Sequence, residues 1–197
     1  MTGGHALAEL ERLLSEILDR PDAEAELASA VDNRFGRDAA VLALDMSGFS
    51  RTTQQHGIVA FLLMIQQLKR IAGPVIADEG GELVKAEADN LYCLFDSVAQ
   101  AVRAAEGILG ALTDANCTAA EDCHIYAAIG IGFGRILHIE GEDLFGDEVN
   151  LACKLGEDIA ESGQILLTAA AAGHAADPGT PLEVSISGLA LPYFRLR

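Results

Sequence analysis

An aspartate at the end of an apolar run is the first residue that points to chemistry. The apolar run 39–44 stops at Asp45, and Gly48 and Phe49 follow before a helical pattern begins. A buried strand that ends in Asp and leads through a glycine turn into a helix is a common metal and phosphate site. The carboxylate neutralises the cation, and backbone N–H groups of the turn face the phosphate. Taken alone, an aspartate such as Asp45 is more often a turn or cap residue.

A second acid, Asp89, lies at a predicted hairpin bend. The segments 83–87 and 91–95 are apolar enough to form two short strands, with Asp89 and Asn90 between them. Asparagine readily takes the left-handed conformation that a tight hairpin needs, so we expect Asn90 to adopt it. The pattern predicts that Asp89 lies in a tight turn between two strands.

The composition excludes some classes of partner. The chain has 197 residues and a formal net charge of −17, which suits one main core with a small appendage. Such acidity argues against a nucleic-acid partner, but it allows a nucleotide ligand because a bound divalent metal inverts the local field. No apolar run has membrane-spanning length and the N-terminus lacks a signal-peptide pattern, so we expect a cytoplasmic protein without a membrane partner.

The four cysteines show no paired Cys-x-x-Cys spacing. Cys93 and Cys153 lie in apolar segments and are typical of small core residues. Cys117 and Cys123 flank a loop and would pair only if their geometry allowed it. A reduced protein is therefore the default expectation.

The first 37 residues form a predicted helical extension, separate from a main domain at 38–197. An amphipathic helix is expected over 5–20, with apolar residues spaced by three and four along one side: Leu7, Leu10, Leu14 and Ile17. Pro21 breaks that helix, and a second one runs to about Gly36. Two interpretations stay open for this hairpin: a cap on the main domain, or an element for dimerisation or signal input.

The main domain is predicted to have an α+β fold. Its elements read β, α, β, β, α, β, α, β and terminal strands, which matches a ferredoxin-like βαββαβ core with extra terminal strands and the N-terminal helical hairpin. We expect a mostly antiparallel sheet with helices on one face. Pro74 is expected to kink or restart the first long helix, and a later helix is expected over 147–162. Gly130, Gly132 and Gly134 lie inside a strand pattern, which indicates bulges or close backbone approach.

The main domain resembles the class III nucleotide cyclases, the family of adenylyl and guanylyl cyclase catalytic domains, from about Ala39 to Ala172. The family pattern has a strand ending in Asp before Gly-Phe, a Gly-Gly, a Lys four residues before a second Asp, and a Phe-Gly-Asp-x-Val-Asn segment. The matching residues, in order, are 45–50, Gly80, Gly81, Lys85, Asp89, Phe95, Gly130, Ile131 and 145–150. This many ordered matches are far more specific than any one motif.

The resemblance implies a two-metal site. Asp45 and Asp89 would jointly hold two Mg²⁺ or Mn²⁺ ions, one at the ribose 3′-hydroxyl and one at the triphosphate. The backbone carbonyl of Met46 would add a metal ligand. The amides around Gly48 and Phe49 would hold phosphate oxygens.

The resemblance also implies that the substrate is ATP. Lys85 would donate to adenine N1 and Asp143 would accept from the exocyclic amine, whereas guanine presents the opposite pattern at these edges. Asn150 would orient the ribose. In the family these residues and the metal ligands come from opposite protomers, so a homodimer is implied. Each residue alone has a plainer reading, as a solvated strand lysine, a loop acid or a helix-start amide, but their joint spacing favours the site.

The chain departs from the family pattern at several positions. Lys154 stands where the family has a transition-state arginine, so the charge is kept but the planar bidentate fork is lost. Ala88 replaces the usual glycine before the second Asp, and Glu87 adds a negative charge. No clear basic residue lies near 185–188, where the family often has a phosphate-binding lysine.

Two hypotheses follow from these matches and departures. The first is an adenylate cyclase that forms 3′,5′-cyclic AMP and pyrophosphate, with low activity because of Lys154. The second is a cyclase-homology domain that binds ATP and metal as a regulatory or interaction module. The presence of both aspartates favours the first, since ATP binding alone can be managed with one metal. Unrelated phosphoryl chemistry on the same fold is a remote third reading.

Overall fold

The computed structural model describes residues 3–47, 49–186 and 188–196. Its elements follow the predicted order with one additional short strand at Asp143–Phe145, and the α+β fold is confirmed. The helices are α1 (Gly3–Asp19), α2 (Glu24–Phe35), α3 (Phe49–Asp78), α4 (Val98–Asn116), α5 (Asp147–Cys153) and α6 (Ala169–His174). The strands are β1 (Gly36–Ser47), β2 (Glu82–Glu87), β3 (Asn90–Phe95), β4 (Tyr126–Ile139), β5 (Asp143–Phe145), β6 (Ile165–Thr168), β7 (Thr180–Ile186) and β8 (Leu189–Arg195).

The described strands form one sheet in the order β2, β3, β1, β4, β6, β8, β7, with β5 paired to β4. All neighbours are antiparallel except β4 and β6, which run parallel. The register sets Asp45 of β1 opposite Asn90 of β3 and Ala128 of β4. Because β1 has a partner on each side, the backbone at Asp45 is fixed by two neighbouring strands.

Helices cover both faces of the sheet, so the expectation of one covered face was wrong. Leu42 and Leu44 of β1 belong to a core that includes residues of α3, α4 and α6. Val41 and Ala43, which alternate with them, belong to a second core with Val149 of α5. A strand buried on both faces has a continuous apolar run instead of an alternating pattern, and β1 has such a run.

The glycines of β4 let α5 lie directly against the strand backbone. A Cβ atom at Gly130 would stand 2.0 Å from the carbonyl oxygen of Ala152, and one at Gly132 would stand 2.4 Å from that of Glu148. The β1–β4 register is unbroken along the whole pairing. Close backbone approach is therefore the correct interpretation of this glycine pattern, and the alternative of bulges is wrong.

The break in α3 falls at a glycine and not at the proline. Gly57 has φ 82° and ψ 174°, a conformation outside the helical region that glycine adopts without a steric penalty. The helix then runs through Pro74 to Asp78. Over the described residues, the segment Gly57–Asp78 is long and apolar enough to cross a membrane by length and composition. A single segment of this kind is weak evidence, and Leu68 and Ile76 within it pack into the main core.

The helix predicted over 147–162 is shorter and changes type. α5 ends at Cys153, and residues Lys154–Ile159 continue as a π-helix. Gly156 in this π-helix lies so close to β1 that a Cβ atom there would stand 2.8 Å from the carbonyl oxygen of Ala43. π-helical turns are rare and often lie at functional sites.

The N-terminal hairpin has its own small core. Leu10 and Leu13 of α1 pack with Phe35 of α2 and with Ile139 of β4. Leu14, predicted to be in the apolar seam, is 47% exposed, and the adjacent Leu13 takes the buried position. The division into an extension at 1–37 and a main domain at 38–197 stays a prediction.

Candidate active site

Two carboxylates meet where β1 passes the β2–β3 turn. Asp45 lies inside β1, two positions before its end at Ser47, and not after the strand as expected. The backbone N–H of Met46 donates to the carbonyl oxygen of Asp89 over 3.3 Å, so the turn is attached to β1 beside Asp45. Asp89 is only 7% exposed, and its Oδ2 atom has no hydrogen-bond partner among the described residues. A buried carboxylate oxygen without a donor is costly unless a cation binds it.

The surroundings of Asp45 disfavour its charged form. Burial is the largest cause that raises the pKa of its carboxyl group from 3.8 to about 7, followed by the negative charge of Asp89. Glu157 and Asp158 of the π-helix raise the pKa in the same direction. A divalent cation would reverse this balance.

The carboxylates of Asp45 and Asp89 fit a cation that also binds the phosphates of a ligand. Within the described ranges, no cluster of three or more His, Cys, Asp or Glu side chains has the geometry to hold a metal ion. Asp45 and Asp89 could supply two hard oxygen ligands, and a cation there would take its remaining ligands from backbone carbonyls, water and phosphate, as Mg²⁺ sites on nucleotides do. The side chain of Met46 is buried, so only its backbone carbonyl could serve as the predicted metal ligand.

The stability of the metal-free protein should depend on pH through Asp45. Since the folded state holds this proton more tightly than the unfolded state, the stability contribution of Asp45 falls as pH rises from about 4 to about 7. Because the carboxyl group is only half-buried, solvent screening reduces the effect to about 1–2 kcal/mol. Urea unfolding at about pH 5 and about pH 8 should show this loss in the wild type and not in Asp45→Asn. An equal loss in both would contradict it, and Asp78→Asn, at an exposed aspartate of α3, is the control.

The β2–β3 turn carries a strained residue. Ala88 has φ 49°, in the left-handed region that favours glycine, and it is the residue expected to be glycine by the family pattern. The expectation that Asn90 would take this conformation is wrong, since Asn90 is already the first residue of β3. Asp89 is thus presented by a turn that costs about 1–2 kcal/mol in backbone strain.

The predicted base-recognition pair lies together. Lys85 of β2 and Asp143 of β5 form an ion pair with Nζ and Oδ2 3.2 Å apart. Glu87 competes for the same ammonium group at 2.8 Å, and these contacts raise the pKa of Lys85, with the Glu87 hydrogen bond as the largest cause. The Oδ1 atom of Asp143 accepts a hydrogen bond from the backbone N–H of Leu144 at 2.9 Å, which fixes the carboxylate.

The π-helix brings more charges to the site. Lys154 forms an ion pair with Asp158, one of the acids that raise the pKa of Asp45. The hydroxyl of Tyr92 on β3 donates to Glu157 over 3.0 Å, and burial together with this contact raises the pKa of Tyr92. The π-helix is thereby tied to β3, whose Tyr92 pairs with Lys85 in the sheet register.

Three comparisons with known proteins bear on this arrangement. No model of a protein family matches the chain. A protein of Rhizobium meliloti (strain 1021) named "Putative adenylate cyclase 3" is 31% identical over 132 residues, which are 67% of this chain and 22% of that protein. The chain thus spans only a small part of that relative's length.

A solved structure decides the family. The adenylate/guanylate cyclase/hydrolase from Silicibacter pomeroyi is 31% identical, with 81% of this chain and 95% of that chain covered and a TM-score of 0.66. The chain belongs to the class III adenylyl/guanylyl cyclase family. The guanylyl cyclase Cya2 has a TM-score of 0.71 at 18% identity, covering 81% and 91% of the two chains, and at that identity it shows the fold alone. The family predicted from the ordered motifs is confirmed.

Three predicted residues of this cyclase domain remain: Asn150, Gly48 and Phe49. Asn150 lies exposed on α5. This helix is anchored by Glu148, whose Oε2 atom accepts hydrogen bonds from the backbone N–H of Phe133 at 3.0 Å and from the hydroxyl of Thr168 at 2.6 Å. Gly48 lies outside the described residues. Phe49 begins α3, and its side chain is not described.

Sequence reasoning missed two residues that border the site of the cyclase domain. Tyr92 is hidden in an apolar strand pattern, and only the register of β3 against β2 would have placed it beside Lys85. Glu157 belongs to no motif, and nothing in the sequence indicates the π-helix that brings it near Asp45. The four cysteines are free, as expected, and burial is the largest cause that raises the pKa of the half-buried Cys153 to about 11, so its thiol is a poor nucleophile.

Proposed function

We propose that this cyclase domain is an adenylate cyclase, which converts ATP to 3′,5′-cyclic AMP and pyrophosphate. The observation that carries the proposal is the pairing of Asp45 with a buried Asp89 whose Oδ2 atom has no partner among the described residues. Two carboxylates held this close repel each other, and such an arrangement is retained where a divalent cation binds between them.

The carboxylates would hold Mg²⁺ or Mn²⁺ together with the triphosphate. When bound, two such ions lower the pKa of the ribose 3′-hydroxyl and offset the charge on the phosphates. Asp45 and Asp89 would hold the ions, and the backbone carbonyl of Met46 would add a further ligand from the protein. The turn at Gly48 and Phe49 would donate backbone N–H groups to the phosphate oxygens.

The other residues orient the nucleotide and stabilise the transferred group. Asn150 holds the ribose so that its 3′-oxygen faces the α-phosphorus. The 3′-hydroxyl loses its proton to water, and its oxygen forms a bond to that phosphorus. The bond between the α-phosphorus and the β-phosphate oxygen breaks, and pyrophosphate leaves. The ammonium group of Lys154 would neutralise charge on the phosphoryl oxygens as the bond changes proceed.

The base is selected by Lys85 and Asp143. Adenine offers an acceptor at N1 and donors at its amine, which match an ammonium donor and a carboxylate acceptor. Guanine offers a donor at N1 and an acceptor at O6, so both contacts would be mismatched. The 3.2 Å ion pair between Lys85 and Asp143 supports this assignment, because a donor and an acceptor for one base edge must lie side by side.

Base preference gives a direct test. With Mn²⁺ present, kcat/KM for ATP should exceed that for GTP by about 10²-fold or more, because mismatched polar groups in a binding site are strongly penalised. Lys85→Ala and Asp143→Ala should each reduce this ratio, whereas Lys69→Ala on α3 should leave it unchanged. Equal use of both nucleotides by the wild type would contradict the assignment of adenine.

The site is proposed to be completed by a second copy of the chain. The α3 surface supports this, because Ile58, Val59, Leu62 and Leu63 are each more than half exposed. A contiguous apolar patch of this kind is typical of an interaction surface.

The free cysteines and the substrate fit a cytoplasmic location without a nucleic-acid or membrane partner.

Complementation between inactive variants tests the shared site. If the metal ligands and the Lys85 set face each other across the interface, mixing Asp45→Ala with Lys85→Ala protein leaves one intact site per heterodimer and restores activity. Mixing Asp45→Ala with Asp89→Ala is the control, since both changes affect the same set and no intact site forms. No recovery in the first mixture, with both proteins folded and exchanging subunits, would contradict a shared site.

A second candidate function is a domain that binds nucleotide without efficient turnover. The contact between Lys154 and Asp158 favours it, because that contact occupies the ammonium group proposed to stabilise the transition state. Such a domain would bind Mn²⁺–ATP and form no cyclic nucleotide.

A further inference from the structure

A polar cavity lies at the junction between the N-terminal hairpin and the sheet, away from the carboxylate pair. Its volume is about 370 Å³, within the range of small-molecule sites. It is lined by the end of α2, the start of β1, the start of β2 and the end of β4, with the residues Arg34, Phe35, Arg37, Glu82, His138 and Glu140. The proposed catalysis uses none of these residues.

The cavity contains a buried polar side chain without a hydrogen-bond partner. The side chain of His138 is only 10% exposed, and its Nε2 atom has no such partner among the described residues. The Oε1 atom of Glu82 lies 3.3 Å away, close enough for an ion pair but out of line for a hydrogen bond. A buried imidazole nitrogen left in this state costs free energy that a ligand would recover.

The charges around the cavity are of both signs. Arg34 is held by Glu9, through Nε at 3.0 Å, and Arg37 is held by Asp96, through one terminal nitrogen at 2.8 Å. Each guanidinium group has five N–H donors and uses one of them in that contact, so further donors remain available as far as the described part of the chain shows. Glu82 is 44% exposed and lies beside His138, so one part of the cavity suits an anion and another suits a cation.

We infer that this cavity binds a small dipolar ion that carries both a carboxylate and an ammonium group, as amino acids do. The carboxylate lies against the free N–H groups of Arg34 and Arg37, because guanidinium groups recognise carboxylates by paired hydrogen bonds. The ammonium group lies between Glu82 and Glu140. A polar side chain of the ligand reaches His138 Nε2. A multiply charged phosphate compound is disfavoured, since two carboxylates line the same cavity.

Calorimetry on the full chain without nucleotide tests the inference independently of cyclase activity. The probe is a mixture of the standard amino acids at millimolar concentration, followed by single amino acids. For the amino acid that binds, we expect its decarboxylated amine and its deaminated acid each to bind at least about tenfold more weakly, since each loses one charge-assisted contact.

Variants at exposed cavity residues complete the test. Arg37→Gln and Glu140→Gln should each weaken binding by about tenfold or more, and neither removes a buried side chain. Arg103→Gln is the matched control, because Arg103 makes a similar exposed ion pair with Glu79 outside the cavity. Three results would each overturn the inference: no amino acid binds, one of the two analogues binds as well as the amino acid, or Arg103→Gln weakens binding as much as Arg37→Gln does.

Discussion

Asp89→Asn is expected to lower the rate of cyclic AMP formation by about 10³-fold or more, and Asp45→Asn should do the same. Each change removes a negative charge from the pair that would hold the metal ions, and metal stabilisation of a phosphoryl transition state amounts to several kcal/mol. The same variants should lose Mn²⁺-dependent binding of ATP in calorimetry. Both effects have one cause, so they should appear together.

The fold of these variants should survive, which separates loss of metal from loss of structure. Amide for carboxylate keeps the size of the side chain, and Asp45→Asn removes repulsion between the half-buried Asp45 and the buried Asp89. Urea unfolding should therefore show equal or higher stability in the metal-free state. Asp78→Asn, at an exposed position of α3, is the control for both measurements. Unchanged affinity for Mn²⁺–ATP in both site variants would show that the metal site lies elsewhere.

Lys154→Arg is expected to raise turnover by about tenfold to a hundredfold while changing ATP affinity little. An arginine that donates to a phosphoryl transition state contributes about 10³–10⁵ in rate, and a lysine at the same place supplies its charge without the planar fork. The gain should appear in kcat because the contact strengthens as charge develops on the phosphoryl oxygens. Lys154→Ala should lower kcat below that of the wild type.

Two controls separate this role from a surface ion pair. If Lys154 served only to pair with Asp158, the contact would contribute a few tenths of a kcal/mol to stability and nothing to turnover. Steady-state kinetics on the wild type and the two Lys154 variants, with Lys69→Arg as the matched lysine control, distinguish the two cases. Equal kcat values in all four proteins would rule out a catalytic role for Lys154.

The parts of the site that depend on local sequence were predictable. Asp45 and Asp89 are marked by the ends of apolar segments, and the fold brings them together because β1 and β3 are adjacent antiparallel strands. Lys85 and Asp143 were predicted from the family pattern, and their 3.2 Å contact needs only that β2 and β5 lie near each other. Motifs in a fixed order along the chain can be predicted from sequence because each motif lies within one helix, strand or turn.

The parts that depend on packing between distant elements were not predictable. The π-helix at Lys154–Ile159 accompanies close contact between Gly156 and β1, a contact between segments more than a hundred residues apart in the sequence. The second covered face of the sheet also depends on such packing, because α5 lies there against glycines of β4. The sequence predicted a kink at Pro74, because proline breaks helices more strongly than glycine does in general. The break lies at Gly57 instead, and the helix continues through Pro74.

One assay tests the central claim most directly. Purified protein is incubated with ATP and Mn²⁺, and cyclic AMP and pyrophosphate are both quantified, with Asp89→Asn as the blank. An adenylate cyclase forms the two products in equal amounts, only with the divalent ion present and not with the variant. If the wild type binds Mn²⁺–ATP and forms no more cyclic AMP than Asp89→Asn does, the domain is not a cyclase and the nucleotide-binding function replaces it.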